Sequence, residues 1–305
     1  MLRAEDERPI FIVGLARSGT GMLLNLLQSH PEVCTVGGEV HEVFDPGRRP
    51  REPLLSSLRR RGGALQIRLL QGEDPFRNHW HPRRPLRPAS IRLMNAAFRR
   101  GMRNARGVTE NRNKADGVRY ADHEIEGARF VTKLLQGLLL LTEPMMSAYP
   151  QARFVGIVRH GLALCEGHIR RGIDPQVAAA AWRDACDQMI RYADRHESFR
   201  LFRFEELIGD PLATFDAISR HAGLDPDRID SIRWVSKKTI DARGTHSGTD
   251  GTAEQRLEWF PKHELPLHVV DAVNDNQIGR LSERERDTIL GVAGDTLRRL
   301  SYAGT

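Results

Sequence analysis

The sequence predicts an α/β fold with three layers, α/β/α, on a central, mostly parallel sheet that carries a helical, Arg-rich insertion. Three observations point to it. Residues 10–14, Ile-Phe-Ile-Val-Gly, form a short continuous apolar run that suits a strand buried on both faces. A glycine loop follows at once, and then apolar residues at helical spacing. The same order of strand, turn and helix returns over residues 153–171.

In chain order, the first strand leads through the loop to a helix marked by Met22, Leu23, Leu26 and Leu27, which stops before His30-Pro31. Residues 46–112 then interrupt the alternation. They begin Pro- and Arg-rich (Pro46, Pro50, Pro53, Pro82, Pro85, Pro88) and continue with helical patterning, and we read them as an insertion or cap within a single domain spanning 8–305. Strands are expected at 129–132, 153–158 and 200–204, and helices at 135–148, 162–171, 176–197 and 211–222. Residues 236–256 are rich in Gly, Thr and Ser and read as one long loop, of a kind that is usually functional or disordered. No internal repeat is present.

Composition removes several classes. With 40% hydrophobic residues and 27 glycines in 305, the chain is globular rather than intrinsically disordered. The three cysteines, Cys34, Cys165 and Cys186, are odd in number and widely spaced, which excludes a disulfide scaffold or a four-cysteine zinc site and suits a reducing compartment. The densest apolar stretch, 134–141, is too short to span a bilayer. The opening residues carry no apolar core of a secretory signal, so the expectation is a soluble, cytoplasmic protein with no membrane span.

The formal net charge is +6, but it is unevenly distributed. Residues 48–112 hold seventeen arginines against four acids (Glu52, Glu73, Asp74, Glu110), a local net charge of +13. The remainder of the chain is therefore acidic, at −7. Such regional basicity concerns the partner of one segment, and an anionic or polyhydroxylated ligand fits it. Arginine makes up 41 of the 46 basic residues, so coding bias contributes as well.

The glycine loop reads Gly14-Leu-Ala-Arg17-Ser18-Gly19-Thr20-Gly21. Between a buried strand and a helix N-terminus, successive main-chain amides form an anion site. The spacing from Gly14 to Gly19 is that of a Walker A loop, which makes the fold P-loop-like, but the Walker lysine and its following hydroxyl are replaced by Thr20 and Gly21. The loop is thus suited to hold a phosphate and poorly suited to split a nucleoside triphosphate. Arg17 supplies the positive charge instead.

These residues resemble the 5′-phosphosulfate loop of sulfotransferases that use 3′-phosphoadenylyl sulfate (PAPS), from Pro9-Ile-Phe-Ile-Val-Gly14 through Arg17-Ser18-Gly19-Thr20 to His30-Pro31. Tyr149-Pro150-x-Ala152-Arg153-Phe-Val-Gly-Ile-Val-Arg159-His160-Gly161 resembles the second block of that family, which binds the 3′-phosphate. Phe202-Arg203-Phe204-Glu205-Glu206-Leu207-x-x-Asp210-Pro211 resembles the third. The blocks occur in family order and cover most of the chain. The likeness is to the tyrosylprotein, carbohydrate and bacterial members more than to the cytosolic small-molecule type.

The resemblance implies transfer of a sulfuryl group from PAPS to an acceptor hydroxyl of a carbohydrate, a peptide tyrosine or a metabolite, with 3′,5′-ADP as product and no metal required. It assigns Arg17, Ser18, Gly19, Thr20, Gly21, Arg159 and Gly167 to the nucleotide, and Arg17, Glu39 and Lys133 to catalysis. Two of these positions depart from the family pattern. Gly21 replaces a second hydroxyl residue, and Gly167 replaces a serine eight residues after the block's arginine. Arg170 is a candidate to help Arg159.

The chemistry of in-line transfer supports the same roles. Charge develops on the leaving nucleotide, so a preorganised cation such as Arg17 lowers the barrier. The acceptor needs a base, and Glu39 in Gly37-Gly38-Glu39-Val-His41-Glu42 is the first candidate, with His41, Glu42 and His123 as rivals. Nearby cations lower the pKa of a carboxylate, which keeps it ionised and weakens it as a base. Lys133 resembles a family lysine at a strand end, although Leu134-Leu135 replaces the usual residues after it. Lys237-Lys238 and Arg243-Gly244 share only the character of a basic closing loop, and a solvated charge run is the favoured reading of them. The His79-Trp80-His81 cluster reads as insertion surface or acceptor pocket, and Cys165 with His168 lacks a second pair for a metal.

Two other functions compete. A P-loop kinase acting on a small metabolite is opposed by the missing lysine and hydroxyl. A non-enzymatic nucleic-acid-binding protein using residues 48–112 is disfavoured, because that segment offers few aromatics for stacking, among them Phe76, Trp80 and Phe98.

Overall fold

The computed structural model describes residues 7–44, 54–71, 85–104, 111–114, 118–237, 255–269 and 272–302. Its elements in chain order are β1 (Ile10–Gly14), α1 (Thr20–Gln28), β2 (Val33–Glu39), α2 (His41–Phe44), α3 (Leu54–Gln71), α4 (Pro88–Asn104), α5 (Asp122–Gly127), β3 (Arg129–Leu135), α6 (Thr142–Ala148), β4 (Arg153–Val158), α7 (Gly161–Ile169), α8 (Pro175–Arg195), β5 (Phe199–Arg203), α9 (Phe204–Gly209), α10 (Pro211–His221), β6 (Ser231–Lys237), β7 (Gln255–Pro261), α11 (Val273–Ile278) and α12 (Glu283–Arg299).

The central sheet has five parallel strands in the order β2-β3-β1-β4-β5. All five residues of β1 are buried, as a continuous apolar run requires of a central parallel strand. The pleat divides them between two cores. Ile10 and Ile12 pack with Leu23, Leu26 and Leu27 of α1. Phe11 and Val13 join Phe98, Trp182 and Leu297 on the opposite face. There Phe11 stacks on Phe154 with ring centroids 5.0 Å apart and meets Phe130 edge-on at 6.1 Å. This is the expected three-layer α/β/α arrangement.

The strand order also fixes where a ligand fits. From β1 the chain leaves through α1 toward β2, whereas from β4 it leaves through α7 and α8 toward β5. The connections diverge between β1 and β4, and open sheets bind ligands in such a crevice beyond the carboxyl ends of the strands.

α4 lies against β2. Met94, Phe98 and Met102 are buried in the same core as Phe11, and the Phe98 ring lies 5.1 Å from Phe130. A Cβ on Gly101 would stand 2.3 Å from the Val36 carbonyl oxygen, so only glycine permits the approach of this helix. Asn111 covers the outer edge of β2: Thr35 N donates to its Oδ1 at 2.8 Å, and its Nδ2 donates to Thr35 O at 2.7 Å. Among the insertion's arginines, Arg99, Arg103 and Arg112 pair with Glu7, Glu126 and Asp122. Among the described residues no helix is long and apolar enough to cross a membrane.

Several local expectations change. β2 forms where no strand was expected, and its register with β3 shifts between Thr35 and Glu39, where Gly37 has φ of +78°. β3 runs on to Leu135 rather than stopping at 132. The helix expected over 135–148 is a 3₁₀ turn, Gln136–Leu141, followed by α6, and Gln136 at φ of +50° marks the break. The expected 236–256 loop is shorter at both ends: β6 takes in 236–237 and β7 takes in 255–256, the two strands pair antiparallel, and residues 238–254 lie outside the described residues. So do the 79–81 cluster and Arg243-Gly244.

Candidate functional site

The glycine loop lies at the carboxyl end of β1 and opens α1. Gly19 caps the helix in the left-handed region, at φ of +94°. A Cβ there would stand 2.4 Å from the Phe204 ring, so both conformation and space demand glycine. Gly14 is needed for a different reason, since a Cβ would lie 2.8 Å from Ile157 O on β4. Arg17 is also left-handed, at φ of +75°, an uncommon state for a side-chain-bearing residue.

Ser18 is buried. Its Oγ donates to Leu15 O at 2.7 Å, and its main-chain N–H donates to the same oxygen at 3.3 Å. The hydroxyl thus closes the loop on itself. Thr20 is buried at the first position of α1, and Gly21 is exposed with nothing within 4 Å of a Cβ. Among the described residues no side chain caps α1, and no acid lies in its first turn. The first amides of a helix lack intrahelical partners and concentrate positive potential, so this terminus is open to an anion.

Arg159 follows β4 directly, on the neighbouring side of the crevice. Its Nη1 donates to Arg17 O at 2.9 Å and its Nε to Asn274 Oδ1 at 2.7 Å, while Nη2 donates to Gln277 Oε1. The guanidinium carbon lies 4.9 Å from the centroid of the Phe204 ring. Burial lowers its pKa to about 10, against the upward pull of Glu205 and Glu166, so the group remains a cation at neutral pH. The other residues of its block have structural partners. Trp182 Nε1 donates to Arg159 O at 3.0 Å. His160 N donates to Glu205 Oε1 at 2.9 Å, and His160 Nδ1 accepts from Leu162 N at 3.2 Å, which starts α7. Burial lowers the His160 pKa, in keeping with a neutral ring that accepts. Gly161 leaves room for Trp182, whose ring would be 3.1 Å from a Cβ.

The third block braces the first two. Phe204 covers Gly19 and the Arg159 guanidinium, and Glu205 takes the His160 N–H, the Asn274 amide and the Tyr302 hydroxyl, the last at 2.6 Å. Gly167 lies on α7, where a Cβ would meet Gln277 Nε2 at 3.7 Å. Arg170 turns away from Arg159 to other partners: its Nε donates to Glu166 Oε1 at 3.0 Å and its Nη2 to Arg280 O at 3.3 Å.

Glu39 and Lys133 pair in the β2–β3 register, with Lys133 Nζ 3.1 Å from Glu39 Oε1. His41 Nδ1 lies 3.3 Å from Glu39 Oε2. The hydrogen bond from His41, joined by the charge and hydrogen bond of Lys133, holds Glu39 below the ordinary carboxylate range against the upward push of partial burial. Lys133 lies within β3, in register with Ile12, rather than after the strand. His123 is on α5, before the amino end of β3, whereas Glu39 ends β2 and pairs with Lys133 further along β3. Phe98, a candidate stacking residue for nucleic acid, is buried in the core.

Sequence reasoning missed Asn274, Gln277 and Tyr302, all of which lie beyond the three motif blocks. The spacing of Asn274 and Gln277, which places both amides on one side of a helical turn, was the available signal.

A model described as the sulfotransferase family matches residues 9–228. The sulfotransferase domain from the curacin biosynthetic pathway is similar in fold, with 14% identity and a TM-score of 0.50, over 97% of this chain and 98% of that one. The sulfotransferase domain from the Synechococcus PCC 7002 olefin synthase has 18% identity and a TM-score of 0.48, over 97% and 98% of the two chains. Sulfotransferase STF9 from Mycobacterium avium has 13% identity and a TM-score of 0.43, over 73% and 67%. No curated protein sequence matches. The family match runs through the glycine loop, the Arg159 block and the Phe204 block, and the chain belongs to the sulfotransferase family.

Proposed function

We propose that this protein transfers a sulfuryl group from PAPS to an acceptor hydroxyl, as a single domain over 8–305, in the cytoplasm and without a metal. The observation that carries the reading is the open N-terminus of α1, set by left-handed Gly19 at the end of the central strand, with Arg17 in the loop and Arg159 on the adjacent strand end. Two cations and a row of main-chain amides at one crevice suit a nucleotide with phosphate at both its 5′ and 3′ positions.

In this reading the amides of Gly19, Thr20 and Gly21 hold the 5′-phosphate, and Arg159 takes the 3′-phosphate beside Gly167. Ser18 contributes through its main chain, because its hydroxyl is committed to Leu15 O. The acceptor oxygen forms a bond to sulfur as the bond from sulfur to the 5′-phosphate oxygen breaks. The acceptor proton passes to Glu39, and the electron pair of the broken bond remains on the phosphate, where Arg17 stabilises it. Lys133 keeps the Glu39 carboxylate ionised and positioned.

The acceptor is a hydroxyl of a carbohydrate, a peptide tyrosine or a metabolite, and the local net charge of +13 over 48–112 favours an anionic or polyhydroxylated one. The test is transfer of labelled sulfate from PAPS into a cell extract, with identification of the labelled product. The reading predicts a sulfated product that disappears with Glu39→Gln. No labelled product from any extract fraction, under conditions where 3′,5′-ADP binds, would contradict it.

A further inference from the structure

Gly167 leaves a vacancy in the second motif block, and the polar atom that faces it comes from another part of the chain. A Cβ at Gly167 would meet Gln277 Nε2 at 3.7 Å. Gln277 and Asn274 lie on α11, far along the chain from the three blocks, and both turn their oxygens to one guanidinium. Arg159 Nε donates to Asn274 Oδ1 at 2.7 Å and Arg159 Nη2 donates to Gln277 Oε1.

Each amide is oriented from behind. Asn274 Nδ2 donates to Glu205 Oε1, and Gln277 Nε2 donates to Glu166 Oε2 at 3.3 Å. Glu166 is itself held by Arg280, whose Nε lies 2.7 Å away. With Arg17 O as a third acceptor, one N–H on each nitrogen of Arg159 is engaged. A guanidinium carries five N–H groups, so one remains on each Nη for an anion. The long bond from Gln277 Nε2 leaves its amide able to serve a second acceptor beside Gly167.

We propose that Asn274 and Gln277 position Arg159, and that the Gln277 amide supplies the donor which the serine eight residues after the arginine supplies elsewhere in the family, with a nucleotide 3′-phosphate as the ligand. This rests on the reading that Arg159 takes the 3′-phosphate. Because Arg159 also holds Arg17 O, the same amides tie the 3′-phosphate subsite to the loop that holds the 5′-phosphate.

The experiment is calorimetric titration of the full chain with 3′,5′-ADP and with 5′-AMP, which lacks the 3′-phosphate. The expected result is a wild-type preference for 3′,5′-ADP that falls about tenfold in Gln277→Ala and in Asn274→Ala, the size of one hydrogen bond to a charged group. Affinity for 5′-AMP changes far less. Adding Gly167→Ser to Gln277→Ala restores most of the preference, which a purely structural role does not predict. Gln277→Met keeps the length of the side chain and removes the donor without setting a second carboxylate against Glu166, so it should lose the preference even where the alanine variants fail to fold. A wild-type preference that survives these substitutions, or equal losses for both nucleotides without rescue, overturns the assignment alone. A wild-type chain that does not distinguish the two nucleotides overturns the 3′-phosphate reading together with it.

Discussion

Lys133 Nζ stands 3.1 Å from Glu39 Oε1, across the point where β2 and β3 pair. Both side chains are partly buried, at 19% and 28% exposure, so solvent screens the pair less than a surface salt bridge. A carboxylate held this way stays ionised and stays in place, and both properties serve a general base.

If Glu39 is the base, as proposed, Glu39→Gln removes it and keeps the shape. Turnover should fall by ~10²–10⁴, the usual contribution of a positioned base. Binding of 3′,5′-ADP should be unchanged. Parallel loss of binding and turnover would make Glu39 a structural residue.

The acid side of the pH–rate profile reports the same carboxylate. Protonation removes the base, so the rate falls as pH drops through the folded-state pKa of Glu39, which lies below the ordinary range. His41 is the largest cause of that lowering. His41→Ala should therefore move the acid limb to higher pH while leaving the neutral plateau in place. An unmoved limb would show that another group titrates there.

How far the sequence reveals this arrangement depends on how local each signal is. β1, α1, β4 and α7 are announced by continuous apolar runs and glycine turns, and Arg17 and Arg159 lie in the two turns between them. β2 is hidden because Gly37 and Gly38 interrupt its pattern and its register slips before Glu39. The reach of β3 to Leu135 is equally hidden, since Leu134 to Leu141 reads alike as strand or helix. α12 carries a capping box, Ser282 with Glu285, and then Ile289, Ala293 and Leu297 at helical spacing, so its signal is in the sequence although no motif block draws attention to it. The contacts of Arg159 with Asn274 and Gln277 join residues more than a hundred positions apart, and only the folded chain shows them.

The loop glycines separate by the space around them. Gly19→Ala places a Cβ 2.4 Å from the Phe204 ring at a left-handed backbone, so it should cost about 1–3 kcal/mol or more in stability and abolish nucleotide binding. Gly21→Ser enters open space at the start of α1, where it should leave the melting temperature at or above wild type and strengthen 3′,5′-ADP binding through its hydroxyl. Thermal melting and titration of both variants check the contrast, and equal effects at the two positions would contradict it.

Glu166, which holds the Gln277 amide from behind, offers a stability test. Burial pushes its pKa up, but hydrogen bonds and charges from Arg280 and Arg170 outweigh that and hold it below the ordinary carboxylate range. Its contribution is thus present above the unfolded carboxylate pKa and lost as pH falls through the folded value. Arg170 is well exposed and adds little, so Arg280 is the main partner. Glu166→Gln should cost about 1–3 kcal/mol at neutral pH, and the difference from wild type should shrink in acid. Denaturant unfolding at two pH values measures it, and a gap that is constant with pH would contradict the ion-pair account.

The central claim is that the loop from Gly14 to Gly21 grips the 5′-phosphate of an adenosine bisphosphate with main-chain amides and the Arg17 guanidinium, in place of a lysine and magnesium. Titration of 3′,5′-ADP in the presence of a chelator tests it most directly. The account predicts saturable binding without Mg²⁺, a stabilisation of ~2.7 kcal/mol at one hundred times Kd, and clear weakening in Arg17→Ala. Absence of binding, or equal binding by wild type and Arg17→Ala, would contradict it.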